Sequence, residues 1–261
     1  MYYTAASERG EALRDTHWRV AGLGTSKAHP GYRALDAVPR ELNGIVRGPE
    51  SPTGVLPGDV YLDPKFTLEA LYRSAAGDCS ILHIATHFDL KPGDDSQSSL
   101  LLGTGRLLSL RDLRKAGLHL RHVDLVTLSA CNTALGGADA QAAEIEGMGS
   151  VVQHQGARGV LASLWSVADA STGQLMQTFY RLRRDRPALT KAQALQQAQL
   201  ALMGSDLVQT SATRGEPKRD WVPDGEQPKP EAAATDDRGQ TARRYAHPYY
   251  WAPFILMGNW L

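Results

Sequence analysis

The chain has 261 residues, with 28 basic and 28 acidic side chains, 42% apolar and 21% charged content; this is the balance of a globular protein with enough length for one large α/β domain or two small ones. A formal net charge of zero argues against bulk attraction to nucleic acid or an anionic membrane, and two cysteines, Cys79 and Cys131, are too few for a disulfide framework or a structural zinc site. Met1-Tyr2-Tyr3-Thr4-Ala5 lacks a signal-peptide start, and no run approaches the roughly 18 apolar residues of a membrane span. The expected location is therefore cytoplasmic, with no metal and no cofactor.

Residues 1–16 are polar and unpatterned and read as a lead-in from a preceding domain; the domain itself is expected over 17–261. Trp18 to Gly24 predicts a first strand running into a Gly-rich turn. Gly22-Leu23-Gly24 lacks the third glycine, and the directly following helix, of a dinucleotide-binding loop, so nucleotide binding there is a minor reading. Pro39 to Val46 predicts a short helix with Pro in its first turn, Leu42, Ile45 and Val46 on one side and charges elsewhere. The stretch from Gly48 to Asp59 reads as a Pro- and Gly-rich loop, followed by a short strand at Val60-Tyr61-Leu62. A helix follows over Phe66–Ala75, with Thr67 as N-cap and Gly77 as stop.

Ile81-Leu82-His83-Ile84-Ala85 is an apolar run that ends in Thr86-His87. Leu100–Leu102 and Arg106–Leu108 predict a hairpin, and Ser109 caps a helix closed by Gly117. Val123 to Leu128 is a second buried run, and it ends in Ser129-Ala130-Cys131-Asn132-Thr133. Apolar runs of this length suit strands buried on both faces of a parallel sheet, and ligands bind outside the carboxyl ends of such strands. His87 and Cys131 stand 44 positions apart (131 − 87), each just past a strand end, comparable to a caspase signature with its His roughly 50 residues upstream of the Cys.

Helical spacing covers 140–155, Gly159–Trp165 predicts another buried strand, and helices follow over 169–183 and 190–203. Alternating strands and helices call for βαβ units and a mostly parallel sheet. Residues 204–244, dense in Pro, Gly and charge, predict a disordered insertion. The aromatic and apolar terminal piece, 249–258, is expected to dock as an edge strand.

Four stretches in order resemble the CHAT domain: His83-Ile84-Ala85-Thr86-His87, Leu128-Ser129-Ala130-Cys131-Asn132-Thr133, the run from Ala157 to Asp169, and His247-Pro248-Tyr249-Tyr250-Trp251-Ala252-Pro253-Phe254. That family is caspase-like, related to caspases and separases, and often follows tetratricopeptide repeats. The resemblance implies a three-layer α/β/α fold with about six mostly parallel strands. It also implies cysteine endopeptidase activity, with Cys131 as nucleophile and His87 as acid–base. The oxyanion would be held by the backbone N–H groups of Phe88 and Cys131. Phe88 stands where the family usually has glycine, keeping the N–H but not the tolerance of positive φ. Asn132 replaces a common Glu, removing a negative charge beside the thiol, which favours a lower cysteine pKa.

The chemistry agrees: a thiolate is the reactive form, and a neighbouring imidazole can take its proton. Taken alone, a free cysteine is more often a buried core residue than a nucleophile, and His87 alone reads as a hydrogen-bonded loop histidine; the pair inside two family motifs favours catalysis. Cys79 and His83 read as core residues. Ser163, Trp165 and Asp169, at the end of the next strand, are candidates for lining a substrate cleft. Asp169 either selects a basic P1 side chain or, the favoured reading, caps the helix that follows. Expected partners are a protein or peptide substrate and a regulatory domain or partner such as tetratricopeptide repeats, with no nucleic acid and no membrane. The rival reading is a catalytically silent, caspase-like interaction module.

Overall fold

The computed structural model describes residues 18–89, 91, 94, 96–115, 117–129, 149–165, 167, 169–204 and 245–261. Its centre is a seven-stranded sheet built from β1 (Val20–Gly24), β2 (Val46–Arg47), β3 (Leu56–Leu62), β4 (Ile81–Ala85), β8 (Leu125–Ser129), β9 (Gly159–Ser163) and β10 (Phe254–Gly258), in the order β10-β9-β8-β4-β1-β3-β2. All neighbours are parallel except β10, which closes the edge antiparallel to β9. β5 (Phe88–Asp89), β6 (Ser99–Leu101) and β7 (Leu107–Ser109) make a small antiparallel sheet. It contains the expected hairpin.

Strands β1, β4, β8 and β9 are buried at every position, which is why they lack polar alternation. Leu82, Ile84, Val126, Leu128 and Val160 share one core with α2 (Leu68–Ala76), α3 (Leu110–Lys115) and α4 (149–154). Ile81, Leu125 and Leu161 share the other with α5 (Asp169–Asp185) and α6 (Lys191–Leu202), which α1 (Val38–Ile45) joins through Ile45. The result is a three-layer α/β/α arrangement.

The caps fall where the sequence put them. Thr67 accepts from the Ala70 N–H, and Ser109 from the Asp112 N–H. Gly117 takes the left-handed backbone that only glycine adopts cheaply. The expected loop over Gly48–Asp59 is partly wrong, because β3 begins at Leu56 and carries Pro57, Gly58 and Asp59 within it. Proline is tolerated there because its only partner on that side is the two-residue β2. A β-carbon at Gly58 would run into the Val20 carbonyl.

Gly22 and Gly24 also have a packing reason. A β-carbon at Gly24 would lie 2.7 Å from Val38 Cγ1 and 2.8 Å from Leu42 Cδ1. These glycines let α1 settle onto β1, and nothing about them requires a phosphate. The lead-in over 1–16 and, apart from Gly204, the expected 204–244 insertion lie outside the described residues. Among the described residues, no helix is long and apolar enough to cross a membrane.

Candidate active site

β4 and β8 are adjacent, parallel and central, paired from Ile81↔Leu125 to Ala85↔Ser129. Their carboxyl ends therefore leave the sheet side by side, and the Thr86 N–H continues the ladder to the Ser129 carbonyl at 3.3 Å. The Thr86 hydroxyl donates to the Leu101 carbonyl at 2.6 Å. This ties the turn after β4 to the small sheet and fixes where His87 emerges.

His87 is 1% exposed. Its Nε2 lies 2.8 Å from the Arg33 carbonyl; a carbonyl can only accept, so Nε2 carries the proton and a neutral ring keeps its lone pair on Nδ1. Nδ1 is buried and has no hydrogen-bond partner among the described residues. The Tyr32 ring packs against the imidazole, centroids 5.2 Å apart and tilted by 46°. Burial pushes the His87 pKa down. The bond to the Arg33 carbonyl opposes this, and the charges of Arg33 and His29 add to it. Near neutral pH the ring is an uncharged base whose acceptor nitrogen has no partner among the described residues.

Cys131 lies outside the described residues. The offset in the β4–β8 register, 44 positions from Ala85 to Ser129, equals the separation of His87 and Cys131.

Phe88 begins β5 and is fully buried. Among the described residues, the only non-glycine with positive φ is Asp63, so the backbone at Phe88 does not need glycine and the substitution carries no strain. The Leu101 N–H bonds to the His87 carbonyl at 3.0 Å. Phe88↔Leu100 is therefore the non-hydrogen-bonded pair of this ladder, and the Phe88 N–H is turned away from β6.

The third group of candidates is only partly assembled. β9 pairs with β8 as far as Leu128↔Ala162, so Ser163 and Trp165 do come beside the end of β8. The buried Ser163 hydroxyl turns inward, donating to the Trp165 carbonyl at 3.0 Å. The half-buried Trp165 donates its indole N–H to the Tyr249 carbonyl at 3.1 Å. Ser163 is thus engaged in shaping the turn, and the remaining face of Trp165 is what the strand end offers a ligand. Asp169 opens α5; its side chain is not among the described atoms. Cys79 is a buried free thiol in the core, its pKa raised chiefly by burial.

Sequence reasoning missed a buried polar cluster directly beneath these strand ends. Glu41, on α1, is 5% exposed. Its Oε1 accepts from the Ser129 hydroxyl at 2.6 Å and from His83 Nε2 at 3.0 Å. His83 Nδ1 meets the Tyr180 hydroxyl at 3.1 Å, and that hydroxyl meets Thr127 Oγ1 at 2.7 Å. His83 is the satisfied core histidine the sequence suggested. Glu41 is not one of the exposed charges expected of that helix. A large surface cleft of about 550 Å³, lined by residues including Glu50, Tyr61, Lys65 and Arg73, lies at the opposite, β3 side of the sheet. Among the described residues, no group of His, Cys, Asp and Glu could hold a metal.

A model of the CHAT domain matches residues 5–259 of the chain. Among curated proteins, no sequence matches. Similar solved structures include a complex of Porphyromonas gingivalis RgpB pro- and mature domains, at 9% identity and TM-score 0.37. Another is the Arg-specific cysteine proteinase gingipain R, at 11% identity and TM-score 0.37. Each comparison covers 66% of this chain and 38% of the other, so the chain spans well under half the length of those proteinases.

Proposed function

The chain belongs to the CHAT-domain family, and from that premise we propose that it is a cysteine endopeptidase, hydrolysing peptide bonds of a protein substrate through Cys131 and His87. The observation that carries this reading is the buried Nδ1 of His87 at the end of β4, without a hydrogen-bond partner among the described residues, beside the strand that leads into Cys131.

Each step uses groups of this chain. Nδ1 takes the Cys131 thiol proton, and the thiolate attacks the substrate carbonyl carbon. The oxyanion is held by the N–H groups of Cys131 and Phe88, the latter pointing away from its own ladder. The imidazolium, held by its Nε2–H on the Arg33 carbonyl, returns the proton to the departing amine as the C–N bond breaks. Water then attacks the thioester, its proton going to Nδ1, and the acid product leaves with the thiol restored. On the substrate side Trp165 supplies apolar contact, and Ser163 shapes the turn that presents it. An adjoining domain or partner, such as tetratricopeptide repeats, governs access.

The test uses an electrophilic peptide probe and a panel of peptide substrates differing at P1. Covalent labelling of Cys131 that is lost in His87→Ala, together with turnover lost in Cys131→Ala, is the expected result. Cleavage that survives Cys131→Ala would overturn it, and absence of labelling across the whole panel would favour the silent interaction module.

A further inference from the structure

The segment 33–41 touches both candidate catalytic strand ends. At one end the Arg33 carbonyl orients His87. At the other, a single oxygen of Glu41 bridges β4, through His83, and β8, through Ser129. His83 and Ser129 point to the same face because they pair with Thr127 and Ala85 in one register. The bridge therefore runs across the two strands just before they release His87 and Cys131.

Among the described residues, the end of β8 is held on its β4 side. Its ladder with β9 ends at Leu128↔Ala162. At Ser129, besides its ladder pairing with Ala85 of β4, the described residues supply a backbone bond of 3.3 Å from the Thr86 N–H and the 2.6 Å bond to Glu41. The shorter, charge-assisted bond is the stronger one. An apolar residue would continue the Val38, Leu42 and Ile45 stripe of α1 without desolvating a charge; a carboxylate is costly to bury unless it is fully paired. Glu41 offsets part of that cost through two bonds at its Oε1, one to each strand. The titratable groups facing it are His83 from β4 and Tyr180 from α5, and α5 lies close enough that a β-carbon at Gly173 would touch Glu41.

We propose that Glu41 is a positioning residue: by clamping the ends of β4 and β8 it fixes the offset of the two strand ends that lead into His87 and Cys131. The proposal rests on the peptidase reading above for its catalytic meaning. It predicts that loosening the clamp misplaces the thiol, and misplacement by about 1 Å can cost on the order of a hundredfold in rate.

Glu41→Ala, Glu41→Gln and Ser129→Ala are compared with the wild type well below each protein's Tm. The readouts are the rate of Cys131 alkylation by iodoacetamide, resolved from Cys79 by peptide mass spectrometry, and kcat and KM on a cleaved peptide. Glu41→Ala and Ser129→Ala are expected to lower the alkylation rate and kcat by about tenfold or more, with KM within about twofold. Glu41→Gln, whose amide oxygen still accepts from Ser129, recovers the greater part of the loss. Alkylation at the wild-type rate in Glu41→Ala and Ser129→Ala, with only Tm lowered, would overturn the proposal. If Glu41→Ala does not fold, Ser129→Ala decides alone. A wild type that cleaves no peptide sinks the peptidase reading, while the alkylation comparison still decides the role of Glu41.

Discussion

Tyr180→Phe removes one oxygen from the centre of the buried cluster and leaves the ring's packing in place. Tyr180 is fully buried. Its ring packs on Trp18 at 6.1 Å, His83 at 5.9 Å and Phe179 at 5.1 Å, and phenylalanine would keep all three contacts. What is lost is the hydroxyl between His83 Nδ1 and Thr127 Oγ1, leaving two buried polar atoms without that partner. Each such atom costs about 1–3 kcal/mol; local relaxation recovers some of it, so the expected loss is about 2–4 kcal/mol. For a domain of this size that lowers Tm by roughly 6–12 °C. Urea denaturation of the wild type and Tyr180→Phe measures it directly, provided the two transitions share one m-value. Thr127→Val completes a double-mutant cycle. Its cost in the Tyr180→Phe background is expected to fall by about 1 kcal/mol, since the partner is already gone. A Tyr180→Phe loss under about 1 kcal/mol with an additive cycle would refute the closed cluster.

Gly24→Ala places a β-carbon against Val38 and Leu42 of α1 and 3.2 Å from the Ala85 carbonyl, at an expected cost of about 1–3 kcal/mol in chemical denaturation; a neutral result would show that α1 is not seated on β1. His87 carries a pH signature of fixed sign. Its folded pKa lies below the ordinary imidazole value near 6.5, so as pH falls below about 6.5 the unfolded chain takes up a proton before the folded one does. The His87 contribution to stability is therefore fully present above about pH 6.5 and is lost as pH drops through the lowered folded value. Relative to His87→Asn, the wild type should lose stability on going from pH 7 to pH 5, measured by urea midpoints across that range. Parallel pH profiles would contradict the assignment.

The most legible elements were those whose residues announce their own burial. The apolar runs at Ile81–Ala85, Leu125–Ser129 and Gly159–Ser163 could only be interior strands, and their order in the chain brings the ends before His87 and Cys131 together. β3 was half hidden because Pro57-Gly58-Asp59 is turn chemistry in isolation; it is a strand only because β1 lies close enough to demand Gly58. The seventh strand, β2, is two residues long and has no pattern to read. Glu41 was illegible for a different reason. On an amphipathic helix a glutamate reads as solvent-facing, and its partners His83 and Ser129 stand 42 and 88 positions away. No local pattern encodes a contact between a helix and two strands that far along the chain.

The division of labour around His87 follows from which acceptor orients it. A carboxylate on Nε2 would raise the imidazole pKa and stabilise the imidazolium; the Arg33 carbonyl fixes the same tautomer with only a partial charge. Combined with burial, this keeps the ring neutral at neutral pH, suited to taking a proton from a thiol rather than to holding a standing ion pair. The carboxylate beneath these strand ends is that of Glu41, whose described partners are Ser129 and His83 and not His87. From there it joins β4 to β8 through those two side chains. Moving the carboxylate up to the histidine would exchange a positional role for an electrostatic one. The Arg33 carbonyl can accept but never titrate, so it orients His87 without taking up a proton itself.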